Sequence, residues 1–394
     1  MRPMVIDVAK ADDLRDVVHR TVQALAEGKV VGVPTDTVYH LAVSACVPEA
    51  VERLAKVSGR STGDGAPLTL AIKDASELND YAPNAGPLAE RLARRCWPGP
   101  VTQVLDADRQ QGLVGQLPAD SQKLIVPDDS LSLRVPANNV LLDVLRMMAG
   151  PIAVASVVSN PGAQAGPKAG GAADEGAGGL NARNLAEAMG DAIDLVLDDG
   201  PAHYGQASTV VRVQRQNYQV LREGVVAADT IDQLARVAVV LVCTGNTCRS
   251  PMAEALLKQQ LAESLGCQID QLESRGLVVM SAGIHAAAGS PASPEAVDLM
   301  KDRGLDLSAH GSQTLNERMV RHADRIITMT RGHRAAIVEG WPAAAARTHT
   351  LLDGGGDVAD PIGAPLDVYR RCADQIAAGL SAHSKAILAA APGS

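Results

Sequence analysis

A cysteine and an arginine frame a short segment whose residue types suit phosphate chemistry. Cys243 begins the segment, Arg249 ends it, and a Gly-Asn pair lies between them. A thiolate is a strong nucleophile, and a planar guanidinium can hold two phosphoryl oxygens at once. The pattern Cys-x5-Arg-Ser therefore predicts attack by Cys243 on phosphorus while Arg249 holds the phosphoryl oxygens, with no metal ion needed.

The elements around this segment are those that such chemistry requires. Val237 to Val242 is an apolar, β-branched run typical of a buried strand, and Pro251 is predicted as the first residue of an amphipathic helix. A loop that joins a strand to a helix N-terminus presents backbone N–H groups to an anion. These donors and Arg249 favour the thiolate of Cys243. The candidate phosphate-binding residues are Thr244, Gly245, Asn246, Thr247, Cys248 and Ser250.

Three loop residues have more specific predicted roles. Gly245 is expected to allow close backbone approach and a positive φ, and Asn246 to tolerate a left-handed conformation and brace the loop. Ser250 can donate a hydrogen bond to the cysteine sulfur. The alternative interpretation is a structural cysteine beside an ordinary strand-to-helix turn.

The segment resembles the phosphate-binding loop of the low-molecular-weight protein-tyrosine-phosphatase family, which begins with the nucleophilic cysteine and ends Arg-Ser-Pro. Matching stretches follow in order over roughly residues 236–392: Ser281-Ala282-Gly283, GLDLSAH at 304–310, Ala323-Asp324, Thr328-Met329-Thr330 and Asp357-Val358-Ala359-Asp360-Pro361. The resemblance implies a doubly wound parallel sheet. It also implies that Asp360 is the general acid, with Asp357 as a nearby alternative. His285, His310 and His322 are interpreted as loop or surface histidines.

Two positions bear on the phosphorylated protein side chain that would be the substrate. Thr247 resembles the protein-arginine-phosphatase branch of the family, because many tyrosine-specific members carry an apolar residue there. Ile362 follows the Asp-Pro pair, where tyrosine phosphatases usually place an aromatic side chain, and the chain contains no Phe. The resemblance leaves phosphoarginine and phosphotyrosine open and weakens the tyrosine interpretation.

The other cysteines raise two further alternatives. The resemblance implies that Cys248 can pair with the nucleophile and shield it from over-oxidation, although a packing role is equally compatible. Related loops serve thiol-coupled arsenate reductases, which need further cysteines on a mobile downstream segment. Residues 306–330 contain none, while Cys267 and Cys372 fall in other elements, so arsenate reduction is disfavoured.

Length and composition agree with a soluble, two-domain enzyme, and the cysteine usage with a cytoplasmic one; the α/β class is what the resemblances imply. The 394 residues can bury two or three cores, and a net charge of −9 argues against a broadly basic nucleic-acid surface. Six cysteines, two of them in a reactive loop, suit a reducing cytosol. The chain shows neither a signal peptide nor an apolar stretch of ~18 residues, so no membrane association is expected.

The domain boundary is predicted in a stretch with a brief helical pattern at 230–234. We expect a first domain at 1–226, a linker at 227–236 and a second domain at 237–394. Within the first domain, the Gly/Ala-rich tract at 162–179 cannot form a packed core and is predicted to be a mobile loop.

The first domain carries a second resemblance. The stretches PTDTVYHLAVSA at 34–45, WPGPVT at 97–102, LRVP at 133–136 and ASTVV at 207–211 are similar, in order, to the YrdC-like domain of threonylcarbamoyl-adenylate synthases. The similarity covers roughly residues 10–226. It implies an open, twisted α/β sheet with a positively lined cavity and ATP as a candidate ligand. Such synthases use ATP, threonine and bicarbonate for a tRNA modification, and related domains bind double-stranded RNA.

Departures from this family's site weaken the synthase interpretation. The family's Lys-x-Arg pair aligns with Ser58-Gly59-Arg60, its Ser-x-Asn-x-Ser-Gly loop reads SVVSNP at 156–161, and His40 replaces a glycine. Lys56 could replace the missing lysine only if the loop shifts. Because adenylate formation needs cationic groups around the triphosphate, a degenerate nucleotide- or RNA-binding module is favoured. The candidate contacts are Thr35, Arg60, Arg134 and Ser156, with loop support as their alternative role.

Two function classes follow. The chain is either a phosphatase whose first domain is a non-catalytic nucleotide or RNA sensor, or a bifunctional enzyme whose first domain makes threonylcarbamoyl-adenylate. Nucleotide binding without turnover would indicate the first class, and ATP-dependent adenylate formation the second.

Overall fold

The computed structural model describes residues 3–60, 67–156 and 180–391. The chain divides by its contacts into two compact units, Met1–Asp232 and Gln233–Ser394, called the first and second unit below. The division falls within a helix, Ala228–Ala235, in the stretch that we expected to be a linker. The tract at 162–179, predicted to be a mobile loop, lies outside the described residues.

The first unit contains one ten-stranded mixed sheet. Its strands are β1 Met4–Asp7, β2 Val31–Val33, β3 His40–Ser44, β4 Thr69–Ala71, β5 Val101–Asp106, β6 Ser130–Arg134, β7 Ile152–Ser156, β8 Leu195–Asp198, β9 Thr209–Gln214 and β10 Asn217–Arg222. Their order across the sheet is β1-β8-β2-β3-β7-β4-β6-β5-β9-β10. Parallel pairs such as β1 with β8 alternate with antiparallel pairs such as β3 with β7.

Helices connect the strands of this sheet, and the last one spans the division between the two units. They are α1 Leu14–Ala26, α2 Pro48–Val57, α3 Leu78–Tyr81, α4 Gly86–Cys96, α5 Ala119–Ile125, α6 Asn139–Met147, α7 Ala182–Met189 and α8 Ala228–Ala235. Helix α1 illustrates how the local sequence determines where a helix begins and which face it buries. The Asp13 carboxylate caps α1 by accepting from the Arg15 backbone N–H, and Val17, Val18 and Leu25 form its buried face.

The second unit contains a four-stranded parallel sheet with strands β11 Val237–Cys243, β12 Leu277–Gly283, β13 Arg325–Thr328 and β14 Thr348–Thr350. The order across the sheet is β12-β11-β13-β14. Its helices are α9 Arg249–Leu265, α10 Pro294–Asp302, α11 Glu317–His322, α12 Arg331–Gly340 and α13 Leu366–Ala389.

Both faces of this sheet are covered, which explains the unbroken apolar run of β11. Leu241 belongs to a buried cluster that also contains Ile376 of α13, whereas its neighbour Val242 belongs to a cluster with Val320 of α11 and Ile337 of α12. A strand buried on both faces has no polar face to alternate with its apolar one. The predicted strand and the predicted doubly wound α/β class are confirmed.

The start of α9 differs from the prediction. The helix begins at Arg249, with Cys248 as its N-cap, so Pro251 is the third helical residue rather than the first. Proline is tolerated there because the first N–H groups of a helix have no intrahelical acceptor. The earlier start places the Arg249 backbone inside the first turn.

Among the described residues, no helix is both long and apolar enough to cross a bilayer. Nor does this part of the chain bring together three or more metal-ligating side chains of His, Cys, Asp or Glu.

Candidate active site

Cys243 is the last residue of β11, and its sulfur receives two hydrogen-bond donors. The backbone N–H of Asn246 donates to Cys243 Sγ at 3.2 Å, and Ser250 Oγ lies 3.0 Å from the same sulfur. The Asn246 side-chain amide donates to Ser250 Oγ at 2.9 Å, and the Ser250 hydroxyl is also 3.4 Å from the Ala282 carbonyl; toward a thiolate at Cys243, which has no proton of its own, Ser250 must be the donor. Donors converging on sulfur stabilise a thiolate.

Asn246 braces the loop from its centre. It is fully buried with φ 56°, and its side-chain amide also donates to Ser281 Oγ at 2.9 Å. Its side-chain oxygen accepts from the Gln313 backbone N–H at 2.9 Å, and its carbonyl accepts from His310 Nε2 at 2.7 Å. His310, interpreted from sequence as a loop or surface histidine, lies in a loop and also holds the phosphate loop in place.

The positive φ predicted at Gly245 is absent there, because Asn246 takes up the left-handed turn and its side-chain bonds stabilise that conformation. Close backbone approach occurs at a different glycine. A Cβ on Gly283, at the end of β12, would lie 2.5 Å from the carbonyl oxygen of Thr244 and 3.0 Å from the Asn246 nitrogen. Gly283 therefore lets the neighbouring strand end touch the loop.

The Arg249 guanidinium is buried, with one nitrogen still without an acceptor. It donates to Val358 O at 3.1 Å, to Thr244 Oγ1 at 3.4 Å and to the carboxylate of Asp360. Its Nε is buried and makes no hydrogen bond in the described structure. An oxyanion in the loop would supply the acceptor that Nε lacks.

The two candidate acids are placed differently. The Asp360 carboxylate is half-exposed and paired with Arg249. The Asp357 carboxylate accepts from the Arg331 backbone N–H at 2.8 Å, at the start of α12. Hydrogen bonds from the backbone and side chain of Arg331 hold the pKa of Asp357 below its usual value. Asp360 is the one of the two that contacts the arginine of the phosphate loop, and its role as general acid stays a prediction.

In the first unit, Arg134 is committed to the protein itself. Its guanidinium donates to Asp36 Oδ1 at 2.6 Å, to Thr37 Oγ1 at 3.0 Å and to the Gly99 carbonyl at 3.1 Å. Arg134 and Asp36 are both buried. All three nitrogens of Arg134 thus have protein acceptors, an arrangement that fits loop support better than ligand contact.

The other three candidate contacts of the first unit lie around His40. Thr35 Oγ1 is 3.4 Å from His40 Nδ1, Ser156 pairs with His40 across β3 and β7, and Arg60 Nη2 donates to Ser156 Oγ at 3.4 Å. Burial, with the nearby charge of Arg134, lowers the pKa of His40 to about 3. The rest of the predicted ligand loop, residues 157–161, lies outside the described residues.

Comparison with known proteins identifies both parts of the chain. Residues 238–390 match the model of the family described as low molecular weight phosphotyrosine protein phosphatase, and residues 23–170 and 172–224 match that of the Sua5, YciO and YrdC proteins, described as telomere recombination. A protein-arginine-phosphatase from Geobacillus stearothermophilus is 41% identical over 142 residues, 35% of this chain and 87% of that protein. The chain belongs to both families.

Two further relatives frame this assignment. A probable low molecular weight protein-tyrosine-phosphatase, EpsP, from Ralstonia nicotianae is 36% identical over 145 residues, 36% of this chain and 91% of that protein. A threonylcarbamoyl-AMP synthase from Pyrococcus abyssi is 28% identical over 212 residues, 53% of this chain and 54% of that protein. The chain therefore spans about half the length of the synthase that it matches.

The phosphatase site also contains a residue that sequence reasoning missed. His333 Nε2 lies 3.0 Å from Thr244 Oγ1 of the phosphate loop. Burial lowers the pKa of His333, and the charge of Arg249 lowers it further. The place of His333 in the sequence could have indicated this contact. Thr330 Oγ1 caps α12 by accepting from the His333 backbone N–H, and this helix start comes directly after β13, which neighbours β11. Ends of adjacent parallel strands meet at one edge of the sheet.

Cys248 and Cys372, two further thiols of the phosphatase unit, are buried, whereas Cys267 is half-buried. Cys248 Sγ lies 3.4 Å from the buried Tyr369 hydroxyl. Cys372 Sγ contacts the Ala359 carbonyl at 3.8 Å, beside the loop that carries Asp360. Burial raises the pKa of the Cys372 thiol to about 11. Pairing of Cys248 with Cys243 stays a prediction.

Proposed function

We propose that the phosphatase unit hydrolyses phosphoarginine in proteins, and that the YrdC-like unit binds a nucleotide or RNA without making threonylcarbamoyl-adenylate. The observation that carries the substrate proposal is Ile362, whose side chain is 68% exposed directly after the Asp-Pro pair. An exposed aliphatic side chain offers a phosphotyrosine ring no aromatic wall to stack on.

The polar groups at the loop suit a guanidinium better than a phenol ring. Thr247 is half-buried, and its hydroxyl has only a weak contact in the described structure, to Cys248 Sγ at 3.6 Å. That hydroxyl and the Asp360 carboxylate are acceptors, whereas a substituted guanidinium is rich in N–H donors. Thr247 and Asp360 can therefore orient a phosphoarginine side chain above Cys243.

The contacts support a two-step reaction. The thiolate of Cys243 attacks phosphorus, the P–N bond breaks with its electron pair passing to nitrogen, and Asp360 protonates that nitrogen. Asp360 then takes a proton from water as the water oxygen attacks phosphorus, and the S–P bond breaks to return the thiolate. Loop N–H groups and Arg249 hold the phosphoryl oxygens throughout.

Substrate binding would also prepare the acid. In the structure Arg249 donates to the Asp360 carboxylate. A phosphoryl dianion would take over the guanidinium, and its negative charge would favour the protonated form of the released carboxyl. The acid would thus gain its proton as the substrate binds.

Parallel hydrolysis assays test the substrate proposal. The full chain should release phosphate from phosphoarginine peptides faster than from sequence-matched phosphotyrosine peptides, and Cys243→Ser should remove both activities. Thr247→Val, which keeps the shape and removes the hydroxyl, should lower kcat/KM for phosphoarginine more than Thr247→Ser does. A wild-type preference for phosphotyrosine would refute the arginine assignment.

The proposal for the YrdC-like unit rests on Ser58, which aligns with the family's lysine. Its hydroxyl is buried and donates to the Leu54 carbonyl at 2.7 Å, at the end of α2. A short side chain bonded to its own helix supplies no cation for a triphosphate. ATP should bind without turnover, and formation of adenylate from ATP, threonine and bicarbonate would establish the bifunctional alternative.

Arsenate reduction remains the weaker alternative for the phosphatase unit. A relay thiol must be deprotonated and mobile, whereas Cys372 is buried within the 24-residue helix α13 and its pKa is raised to about 11. The proposed hydrolysis instead needs Cys243 kept reduced, for which a reducing cytosol is the suitable compartment.

A further inference from the structure

A polar pocket of about 410 Å³ lies in the second unit at β14, and no phosphate-loop residue lines it. β14 is an edge strand, paired with β13 on one side only. The ionisable side chains lining the pocket are Arg325, Arg334, His349 and His383. No acidic residue is among the described residues that line it. The pocket therefore brings together two arginines and two histidines from four separate elements, and the arginines supply its positive charge.

The two arginines point unused donors into this space. Arg325 Nε donates to His383 Nδ1 at 2.9 Å, and Arg334 Nε donates to the Thr348 carbonyl at 2.9 Å. For both arginine side chains, these are the sole hydrogen bonds within the described part of the chain, and neither guanidinium forms an ion pair there. Each guanidinium is thus fixed through Nε while both of its terminal NH2 groups are left without a protein acceptor.

His383 holds Arg325 in position. Its Nε2 lies 3.2 Å from the carbonyls of both Thr350 and Leu351, so this nitrogen carries the proton and donates. Its Nδ1 then accepts from Arg325, which requires the neutral ring. A buried, neutral histidine that orients an arginine is a built feature rather than a chance arrangement on the surface.

The pKa of His349 is lowered by its surroundings in the pocket. Burial and the neighbouring Arg325, His383 and Arg334 lower the pKa of His349 to about 4. These three residues, from β13, α13 and α12, are the charged and titratable groups that face its ring. A bound dianion would reverse their effect and favour protonation of His349.

We propose that this pocket binds a phosphate-class oxyanion, either free phosphate or the phosphoryl group of a small phosphomonoester. Two guanidinium groups with free NH2 donors match the tetrahedral oxygens of such an ion. The volume exceeds what a bare phosphate fills, so an organic group could be accommodated with it. The site is separate from the one in which Cys243 acts, and it does not depend on hydrolysis.

Phosphate titrations of the full chain test this proposal. They are carried out in an Arg249→Ala background, which weakens binding at the phosphate loop, and followed through the imidazole NMR signals, with His349→Gln assigning its resonance. At a constant pH of 7, inorganic phosphate should shift the His349 signal toward the imidazolium form as it saturates the pocket. Phosphoserine is titrated in parallel. Tighter binding of phosphoserine would indicate a small phosphomonoester as the ligand, and tighter binding of inorganic phosphate would indicate free phosphate.

Variants locate the binding. Arg334→Gln, at an exposed position, should weaken the His349-detected affinity by roughly tenfold or more. Arg325→Gln should do the same, and because it also removes the bond to His383, its folding is checked by circular dichroism. The control, Arg318→Gln, removes the same charge from an exposed position on α11 outside the pocket and should leave the affinity unchanged. A His349 signal that saturating phosphate does not move, or equal affinity in Arg334→Gln, would overturn the proposal.

Discussion

The Asp360 carboxylate accepts a hydrogen bond from Nη2 of Arg249, while Nε of the same guanidinium is buried without an acceptor. One group of this guanidinium is thus bonded to the candidate acid, and another has no acceptor among the described residues. In the reaction proposed above, Asp360 and a phosphoryl group would compete for the same guanidinium, so binding of the anion would free the acid beside the leaving atom.

Replacing the acid should separate chemistry from anion binding. Asp360→Asn should lower kcat by roughly 10²–10⁴-fold because the leaving nitrogen loses its proton donor. The same variant should bind inorganic phosphate more tightly, since a competing negative charge is gone; inhibition constants measure this. Asp357→Asn is the matched control, because that carboxylate is bound to Arg331, and it should change kcat little. The reverse ranking would reassign the acid.

A methyl group at Gly283 should damage the phosphate loop. The added Cβ would lie 2.5 Å from a backbone oxygen, so Thr244 or β12 must shift. We expect a loss of roughly 10²-fold in kcat/KM, since small misplacements at a reacting centre have effects of that size. Gly340→Ala is the control: it has nothing within 4 Å and ends α12. Normal kinetics for Gly283→Ala would show that the loop tolerates the shift.

Substitutions at Asn246 should resolve its backbone role from its side-chain role. Asn246→Gly keeps access to φ 56° but loses the hydrogen bonds to Ser250, Ser281 and Gln313. Asn246→Ala loses these hydrogen bonds and also the ready access to a positive φ. Its free energy of unfolding should therefore be about 1 kcal/mol lower than that of the glycine variant. Hydrogen exchange of residues 237–266 measures the difference. Equal protection in the two variants would mean that the left-handed turn carries no strain.

His40 should make the first unit sensitive to acid. Its pKa is about 3 when folded, well below the ordinary value near 6.5, so between these limits the unfolded chain binds a proton that the folded one excludes. The contribution of His40 to the free energy of unfolding is therefore present in full above about pH 6.5. Below that pH the free energy of unfolding falls by roughly 1.4 kcal/mol per pH unit.

Trp97 fluorescence during urea unfolding, in a Trp341→Phe background, reports this unit alone, because the chain has two tryptophans. His40→Gln should flatten the pH dependence between pH 6 and 4. An unchanged slope in that variant would assign the effect to other groups.

Features of the site that depend on residues close in the chain could be predicted from the sequence. The strand before Cys243 and the tolerance of Asn246 for a left-handed conformation follow from residue types close in the chain. His310, His333 and Gly283 contact loop residues that lie 37 to 89 positions away, through tertiary packing that no spacing reveals. Family resemblance located some of these stretches without showing what they touch.

The protonation state of a buried group and the grouping of charged side chains also depend on tertiary packing. His40 was noticed as a departure from the family pattern, but its neutral state depends on burial and on Arg134, which lies on a different strand. The pocket at β14 gathers single residues from β13, α12, β14 and α13. Each of these is unremarkable in sequence, and only the sheet edge brings them together.

The pairing of β1 with β8 has a consequence for synthesis of the chain on the ribosome. Met4 is aligned with Leu195, so β1 has no β8 edge to join until almost two hundred further residues have been made. At about 5–20 residues per second, that wait lasts roughly 10–40 seconds. During this interval the nascent chain carries an unpaired strand, and a chaperone that covers it would raise the yield of native protein without touching the candidate active site.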